Sequence, residues 1–303
     1  MNGSPLVSVA MATFNGANYL KEQLSSILGQ TYPNLEIIIT DDASSDETLA
    51  ILRDYQKSHD RIKIFRHRVN QGITASFEDS IKNCRGEFIA ISDQDDIWEL
   101  NKIEVLMNAM ENEDAICSDS ELIDQSGQSL NKRISSLVNL KSFYSGAPFL
   151  MGICLPGHSL MMQGDFARYI LPMPGEIMYD RWISYCAAAN NGIKYVHLPL
   201  VKYRQHESNS YGVGKAKNKK NKKTKEQKFH IKLMELNACA KVPVKDEETK
   251  IILEEMLSRF NRRLSLGRCL FFFRNRNKLL VIKKKNRVRK ILYCLKMFFK
   301  SNY

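Results

Sequence analysis

LVSVAMATFNGANYLKEQLSSILGQTYPNLEIIITDD, residues 6–42, decides the architecture. Leu6 to Ala12 and Leu35 to Thr40 are short runs rich in Val and Ile that end on polar turn residues, and they read as buried strands. Between them Asn18 to Gln30 has helical spacing. The alternation continues with a helix over Asp46 to Ser58, which Ser44 or Ser45 is placed to cap, a strand at Ile62 to Phe65, a helix over Ile73 to Asn83 and a strand at Phe88 to Ser92. A strand and a helix roughly every 25 residues predict right-handed βαβ units and a parallel sheet covered by helices.

Further along, the spacing predicts a helix near Glu99 to Glu111 and a strand near Ala115 to Ser118. Glu121 to Pro156 has scattered Gly, Ser and Pro and reads as a mobile loop over a site. A helix around Asp165 to Ile170, a helix from Asp180 to Asn190, and strands near Lys194 to Leu198 and Val201 to Arg204 follow. Residues 213–228 are lysine-rich and cannot bury a core, so they read as a solvated linker. Helices are predicted at Glu226 to Ala240, Glu247 to Leu266 and Arg287 to Phe299. The resulting division is an α/β domain over 1–212, the linker 213–228, and a basic helical region over 229–303.

With 303 residues and 44% hydrophobic content, the chain can bury a large core. Its net charge of +12 hides an asymmetry: residues 1–212 carry net −8 and residues 213–303 net +20. Two regions with different partners are implied. Seven cysteines lie singly with no CxxC spacing, which excludes a zinc ribbon or a disulfide framework and suits a reducing cytoplasm. The first residues lack a basic-then-apolar leader and no run reaches the ~18 apolar residues of a spanning helix, so the reading is neither exported nor integral.

In open α/β sheets, ligands gather at the carboxyl ends of the strands. Those ends here read Thr13-Phe14-Asn15-Gly16, Asp41-Asp42, Asn70-Gln71-Gly72 and Asp93-Gln94-Asp95-Asp96, all polar or acidic. An Asp-x-Asp at a strand end puts two carboxylates on one side of a turn, where they hold Mg2+ or Mn2+ against phosphate oxygens. Asp93 and Asp95 fit, with Asp96 as a spare; the bland reading is a solvated acidic turn. Asp41 or Asp42 would accept the imide N–H of a uracil or thymine ring, or simply cap the next helix.

The order of these residues is recognisable. TFNG, QxLSSILxQTYPNLEIIITDDxSxD, NxG and SDQDDIW, at these spacings, resemble the amino-terminal half of family 2 glycosyltransferases with the GT-A fold, over roughly residues 5–212. The resemblance implies that Thr13, Asn15, Asp41, Asp42, Asn70, Gly72, Asp93 and Gln94 bind a nucleotide-sugar. It makes Asp95, with Asp93, the metal ligand, and Asp95 is the direct one. Tyr203-Arg204-Gln205-His206 resembles the segment closing the catalytic domain, giving Arg204 to the diphosphate and His206 to phosphate or metal; a plain surface loop is the alternative. Met178-Tyr179-Asp180-Arg181-Trp182 stands where similar enzymes carry His-Asp-Trp-Trp, so Asp180 is the candidate general base, or else a helix cap. His158, Trp98, Arg181 and Trp182 are assigned to the acceptor side, with a buried structural role as the alternative for His158. DQDDIW is most like bacterial enzymes that build O-antigens and capsules, many of them rhamnosyl-, galactosyl- or glucosyltransferases.

Residues 259–303 hold fifteen Lys or Arg and no acid, interleaved with aromatic and aliphatic residues. That composition suits an anionic membrane surface, packing against the first domain or a second subunit, or nucleic acid, for which no recognised reading motif is present. The reading is therefore an inverting transferase, cytoplasmic and peripheral on the inner face of a bacterial plasma membrane. It would move one sugar from a UDP- or dTDP-sugar to a saccharide on an undecaprenyl-type lipid, with no specific nucleic acid and with a homodimer left open. The rivals are a nucleotidyltransferase, disfavoured because no Gly-rich, Lys-bearing signature follows the first strand, and a nucleic-acid-binding protein.

Overall fold

The computed structural model describes residues 3–152, 155–206, 224–260, 265–284 and 286–299. Cys154, residues 207–209 of the closing segment, and most of the predicted linker lie outside the described residues.

Nine strands form one sheet: β1 (Val7–Thr13), β2 (Leu35–Asp41), β3 (Ile62–Arg66), β4 (Phe88–Ser92), β5 (Ile97–Trp98), β6 (Ala115–Ile123), β7 (Ser129–Arg133), β8 (Leu160–Gln163) and β9 (Ile193–Arg204). Their order is β3-β2-β1-β4-β8-β6-β9-β5, with β7 on β6. The first four are parallel, β8 runs antiparallel between β4 and β6, and β9 lies parallel to β6. The sheet is therefore mixed: the predicted parallel βαβ units form one half, and the antiparallel pairings of β5, β7 and β8 lie in the other.

The helices are α1 (Leu20–Leu28), α2 (Thr48–Ser58), α3 (Ile73–Asn83), α4 (Lys102–Ala109), α5 (Ile134–Leu137), α6 (Gly164–Tyr169), α7 (Tyr179–Ala188), α8 (Lys225–Lys241), α9 (Glu247–Phe260), α10 (Leu266–Arg274), α11 (Arg276–Leu279) and α12 (Arg287–Phe299). β1, β2 and β4 are rich in apolar residues because both of their faces are covered, and the buried polar pair within them, Ser8 and Glu36, is joined by a 2.7 Å hydrogen bond. In β2, Ile38 packs into one core with Phe77 of α3, while Ile37 and Ile39 pack into the other with Leu24 of α1. Alternate side chains of one strand thus serve two layers.

Thr13 at the end of β1 lies beside Asp41 at the end of β2, and Met11 lies beside Ser92 at the end of β4. The chain leaves β1 to build β2 and β3 on one side and returns to β4 on the other. That switch point opens a crevice past the carboxyl ends of β1, β2 and β4.

Several expectations are corrected. Glu121 to Pro156 is no mobile loop: β6 runs on to Ile123, β7 and α5 follow, and Leu140, Phe143, Phe149 and Leu150 are buried in the larger core. Their irregular spacing hides them from periodicity because they pack against distant helices. The two strands predicted over 194–204 are one, β9, bent by a register shift opposite Asp119. Neither Ser44 nor Ser45 caps α2; Asp46 Oδ1 accepts the Thr48 N–H at 3.0 Å. The helix expected over Glu247 to Leu266 ends at Phe260 among the described residues, and Leu266 begins α10.

The basic region packs inward on one side. Phe271, Phe272, Leu279, Leu280, Ile282, Cys294 and Met297 are buried in the same core as Phe143 and Phe149. Among the described residues, no helix is long and apolar enough to cross a membrane.

Candidate active site

Past β4 the chain turns through Asp93–Asp96 into β5, whose pairing with β9 brings residues from the far end of the domain against the turn. Asp96 is fully buried, and its Oδ1 accepts the Arg204 N–H at 3.0 Å. The Arg204 guanidinium, itself buried, donates from Nε to the Asp95 carbonyl at 2.9 Å and from Nη1 to the Gln125 carbonyl at 3.1 Å, and pairs with Glu22. It also lies 4.8 Å from the Tyr19 ring. Arg204 therefore braces the acidic turn from within the protein. His206 also packs on the Tyr19 ring and sets its Nε2 2.8 Å from Asp95 Oδ2.

The opposite wall is built by His158, in the turn Gly157–Ser159 before β8. Its Nε2 lies 2.8 Å from Ser120 Oγ, and its Nδ1 lies 3.5 Å from Asp96 Oδ2 and 3.8 Å from Asp93 Oδ2. Tyr179 donates its hydroxyl to Asp93 Oδ1 at 3.1 Å. A side chain at Gly157 would put Cβ 2.2 Å from that hydroxyl, so the close approach requires glycine. Beneath the turn, the buried Lys102 donates to the His158 carbonyl at 2.7 Å and sits 3.4 Å over the Trp98 ring.

The electrostatics follow from crowding. Burial, then the charges of Asp95 and Asp93, raise the Asp96 pKa well above the usual carboxylate range. Burial likewise depresses that of Lys102. Asp96 Oδ2 has no hydrogen-bond partner, an expensive state for a buried oxygen that a cation would relieve. Donor atoms of Asp93, Asp96 and His158 all lie within 4.8 Å of one another. Carboxylate and imidazole donors at this spacing, with Asp95 and His206 in contact alongside, fit a divalent ion such as Mn2+ or Mg2+. The deeper Asp96–His158 pairing is not legible in the sequence, where Asp96 reads as a spare carboxylate and His158 as an acceptor-side residue.

The nucleotide-side residues are tied into the rim. Gln94 and Phe14 exchange hydrogen bonds of 2.9 and 3.0 Å, and Gly16 lies against the Gln94 side chain. Asn15, at φ 49°, donates its N–H to Ser44 Oγ and accepts from the Ser45 N–H. Asp41 accepts from Thr13 Oγ1, from the Ser44 N–H and from the Ser44 hydroxyl. Asp42 accepts from the N–H groups of Gln71 and Gly72, both at 2.8 Å, and the Asn70 amide donates to the Asp42 carbonyl. Both carboxylates thus shape the floor through protein hydrogen bonds.

His67, which the sequence reading passed over, lies 2.7 Å from Asp42 and 2.9 Å from Asp79, one carboxylate on each ring nitrogen. Burial opposes its charge, but the two acids outweigh burial and raise its pKa above 6.5. For Asp42, burial would raise the pKa, and the Gln71 N–H, His67 and the Gly72 N–H outweigh it and lower it below 3.8. Stability from Asp42 is present above its unfolded pKa and lost as pH falls through its folded one. That from His67 is full below its unfolded pKa and lost as pH rises through its folded one. Asp42→Asn should therefore cost about 3 kcal/mol, with the largest deficit between roughly pH 4 and 6.5. Urea unfolding at pH 5.5 and 8.5 checks this, with the smaller deficit expected at 8.5.

Asp180, the second residue of α7, accepts the Arg181 N–H at 2.7 Å. Its neighbour Tyr179 reaches Asp93, so the start of α7 stands beside the acidic turn. Of the acceptor-side candidates, His158 stands at the turn, and the other three are buried within the protein. Arg181 is buried and pairs with Glu235 at 2.6 Å, Trp182 is buried with its Nε1–H donated to the Ile170 carbonyl at 2.8 Å, and Trp98 is buried under Lys102. Tyr179, Ser120 and Lys102 are not singled out by the sequence, which shows only their partners, Asp93 for Tyr179 and His158 for the other two.

A sheet with this switch point, carrying an acidic turn braced by a distant arginine and histidine, is the GT-A fold of nucleotide-diphospho-sugar transferases. The chain belongs to glycosyltransferase family 2, which matches residues 8–169. An uncharacterized glycosyltransferase of Rickettsia typhi is 40% identical over 216 residues, 68% of this chain and 65% of that protein. A protein assigned to teichuronic acid biosynthesis, TuaG of Bacillus subtilis, is 34% identical over 109 residues, 36% of this chain and 43% of that one. The chain spans less than two thirds of the length of these relatives, 34% of a Rickettsia felis protein and 65% of the Rickettsia typhi one. Residues 1–349 of Staphylococcus aureus TarS, crystallised with UDP-GlcNAc, superpose with a TM-score of 0.62 at 15% identity, covering 98% of this chain and 82% of that one. The mannosyltransferase PcManGT of Pyrobaculum calidifontis, solved with GDP-Man and Mn2+, gives 0.54 at 15% identity, with 84% and 70% covered. At that identity the likeness is one of fold.

Proposed function

We propose that the chain transfers a single sugar, with inversion, from a UDP- or dTDP-sugar to a saccharide on an undecaprenyl-type lipid. The setting would be synthesis of a bacterial surface polysaccharide at the cytoplasmic face of the plasma membrane, with a hexosyl or rhamnosyl group as the cargo. The observation that carries this is the 2.8 Å contact of Asp95 with His206 beside Asp93, at the sheet's switch point. The relationship to TuaG supports the polysaccharide setting, and the ligands of TarS and PcManGT support a nucleotide-sugar and a metal.

In this reading Asp95, His206 and Asp93, with Asp96 and His158 deeper in the cluster, would hold a divalent ion, which when bound would neutralise charge growing on the departing diphosphate. Thr13, Asn15 and Gln94 border the nucleotide, and Asp41 and Asp42, with Asn70 and Gly72, form the wall that receives the base. The Asp180 carboxylate takes the proton of the acceptor hydroxyl. That oxygen attacks the anomeric carbon from the side opposite the diphosphate, and the breaking bond leaves its electron pair on phosphate oxygen. One displacement with no covalent sugar–enzyme stage inverts the centre. Positioning and charge stabilisation supply most of the rate.

Nucleotide release from a panel of UDP- and dTDP-sugars with Mn2+ is the test. One donor should be turned over well above the rest, and no release from any of them would overturn the reading.

A further inference from the structure

Two helices of the basic region carry outward apolar stripes. On α10, Leu266, Leu270 and Phe273 follow i, i+4, i+7 spacing; on α12, Val288, Leu292 and Leu295 do the same. All six are between 42% and 63% exposed. The opposite faces are buried, through Phe271 and Phe272 on α10 and Cys294 and Met297 on α12, and the helices pack on each other. Both stripes therefore point away from the core, on neighbouring elements.

Cations accompany the stripes. Arg276, Arg287 and Lys290, with Asn277, line a cleft of about 430 Å³ that has no acidic residue in its wall among the described residues. Nearby Arg274 and Lys278 are paired with Glu255 and Glu248, whereas Arg276, Arg287 and Lys290 form no ion pair among the described residues. The Arg276 guanidinium rests 4.3 Å from the Phe273 ring, which joins the cleft to the stripe on α10.

We infer that α10 and α12 form a docking face for an anionic lipid bilayer: the two stripes enter the headgroup boundary and the Arg276–Arg287–Lys290 cleft receives a lipid phosphate. Outward apolar residues at helical spacing beside unpaired cations define an interfacial helix. At 13 residues, α12 can lie in that boundary but cannot span the ~30 Å hydrocarbon core. Nucleic acid would use the cations and leave six outward apolar side chains without a role. A second copy would set the same excess of positive charge against itself. The purpose of the contact, reaching a lipid-linked acceptor, rests on the transferase reading; the contact itself does not.

The experiment is flotation of the full chain with vesicles of phosphatidylcholine alone or with phosphatidylglycerol, across a salt series. Wild type should float with the anionic vesicles, weakly with the neutral ones, and less as salt rises. The Arg276→Ala, Arg287→Ala, Lys290→Ala variant should bind anionic vesicles about a hundredfold more weakly, at roughly fivefold for each cation. The Leu270→Ser, Leu292→Ser variant should lose at least about tenfold at low salt as well. Nucleotide release in vesicle-free solution should be unchanged in both, which separates lost docking from misfolding. If that release is absent in wild type while vesicle binding behaves as described, the transferase reading fails and the docking face stands. Failure of wild type to float with anionic vesicles, or equal flotation of the triple variant, would overturn the inference. So would a wild-type dimer that the stripe variant dissociates without any vesicle binding, or RNA that displaces the vesicles.

Discussion

Asp95→Ala is expected to lower Mn2+-dependent sugar transfer about a thousandfold while leaving the fold intact. The carboxylate lies at the acidic turn with its Oδ2 against His206, and the backbone of Asp95, not its side chain, carries the bond to Arg204. Truncation therefore removes a ligand without removing the brace. A divalent ion supplies several kcal/mol of charge stabilisation to a departing diphosphate, and ~4 kcal/mol corresponds to about a thousandfold in rate. The same variant should release His206 from its partner, so transfer should respond little to added Mn2+ at any concentration. Steady-state rates with and without metal measure this, and a variant retaining wild-type rate and metal response would remove Asp95 from the ligand set.

Asp180→Asn is expected to lower kcat by about a thousandfold with little change in KM for the donor. The amide oxygen can still accept the Arg181 N–H at the start of α7, so the helix and its Tyr179–Asp93 link are retained. What is lost is the carboxylate proposed to take the acceptor's proton, a contribution typically worth ~10² to 10⁴. An effect on KM alone would instead make Asp180 a binding or capping residue.

The strands that build the site are legible because β1, β2 and β4 are covered on both faces, giving runs rich in apolar residues that stop at polar ends. The meeting of Asp95 with His206 followed from two separate segments of family-like sequence. The parts that were not legible depend on contacts between distant residues. β8 has four residues and β5 two, too short for any period to register, yet β5 is what pairs β9 and delivers Arg204 and His206 to the turn. Arg204, expected on the diphosphate, is held by the Asp95 and Gln125 carbonyls and by Glu22, because three crowded carboxylates need a buried cation beneath them. Lys102 and His67 are invisible for a similar reason: a basic residue in a polar stretch shows its partner only once the chain is folded. The stripes on α10 and α12 could be counted in the sequence, but only burial of the opposite faces shows which apolar residues belong to the core and which point outward.

Calorimetric titration of UDP and dTDP into the protein, in Mn2+ and in chelator, tests the claim that the Asp93–Asp96 turn holds a metal against a nucleotide diphosphate. The account predicts that Mn2+ tightens binding of one nucleotide at least about tenfold, and that Asp95→Ala and His206→Ala each abolish the gain. Equal affinity with and without metal in the wild-type protein would contradict it.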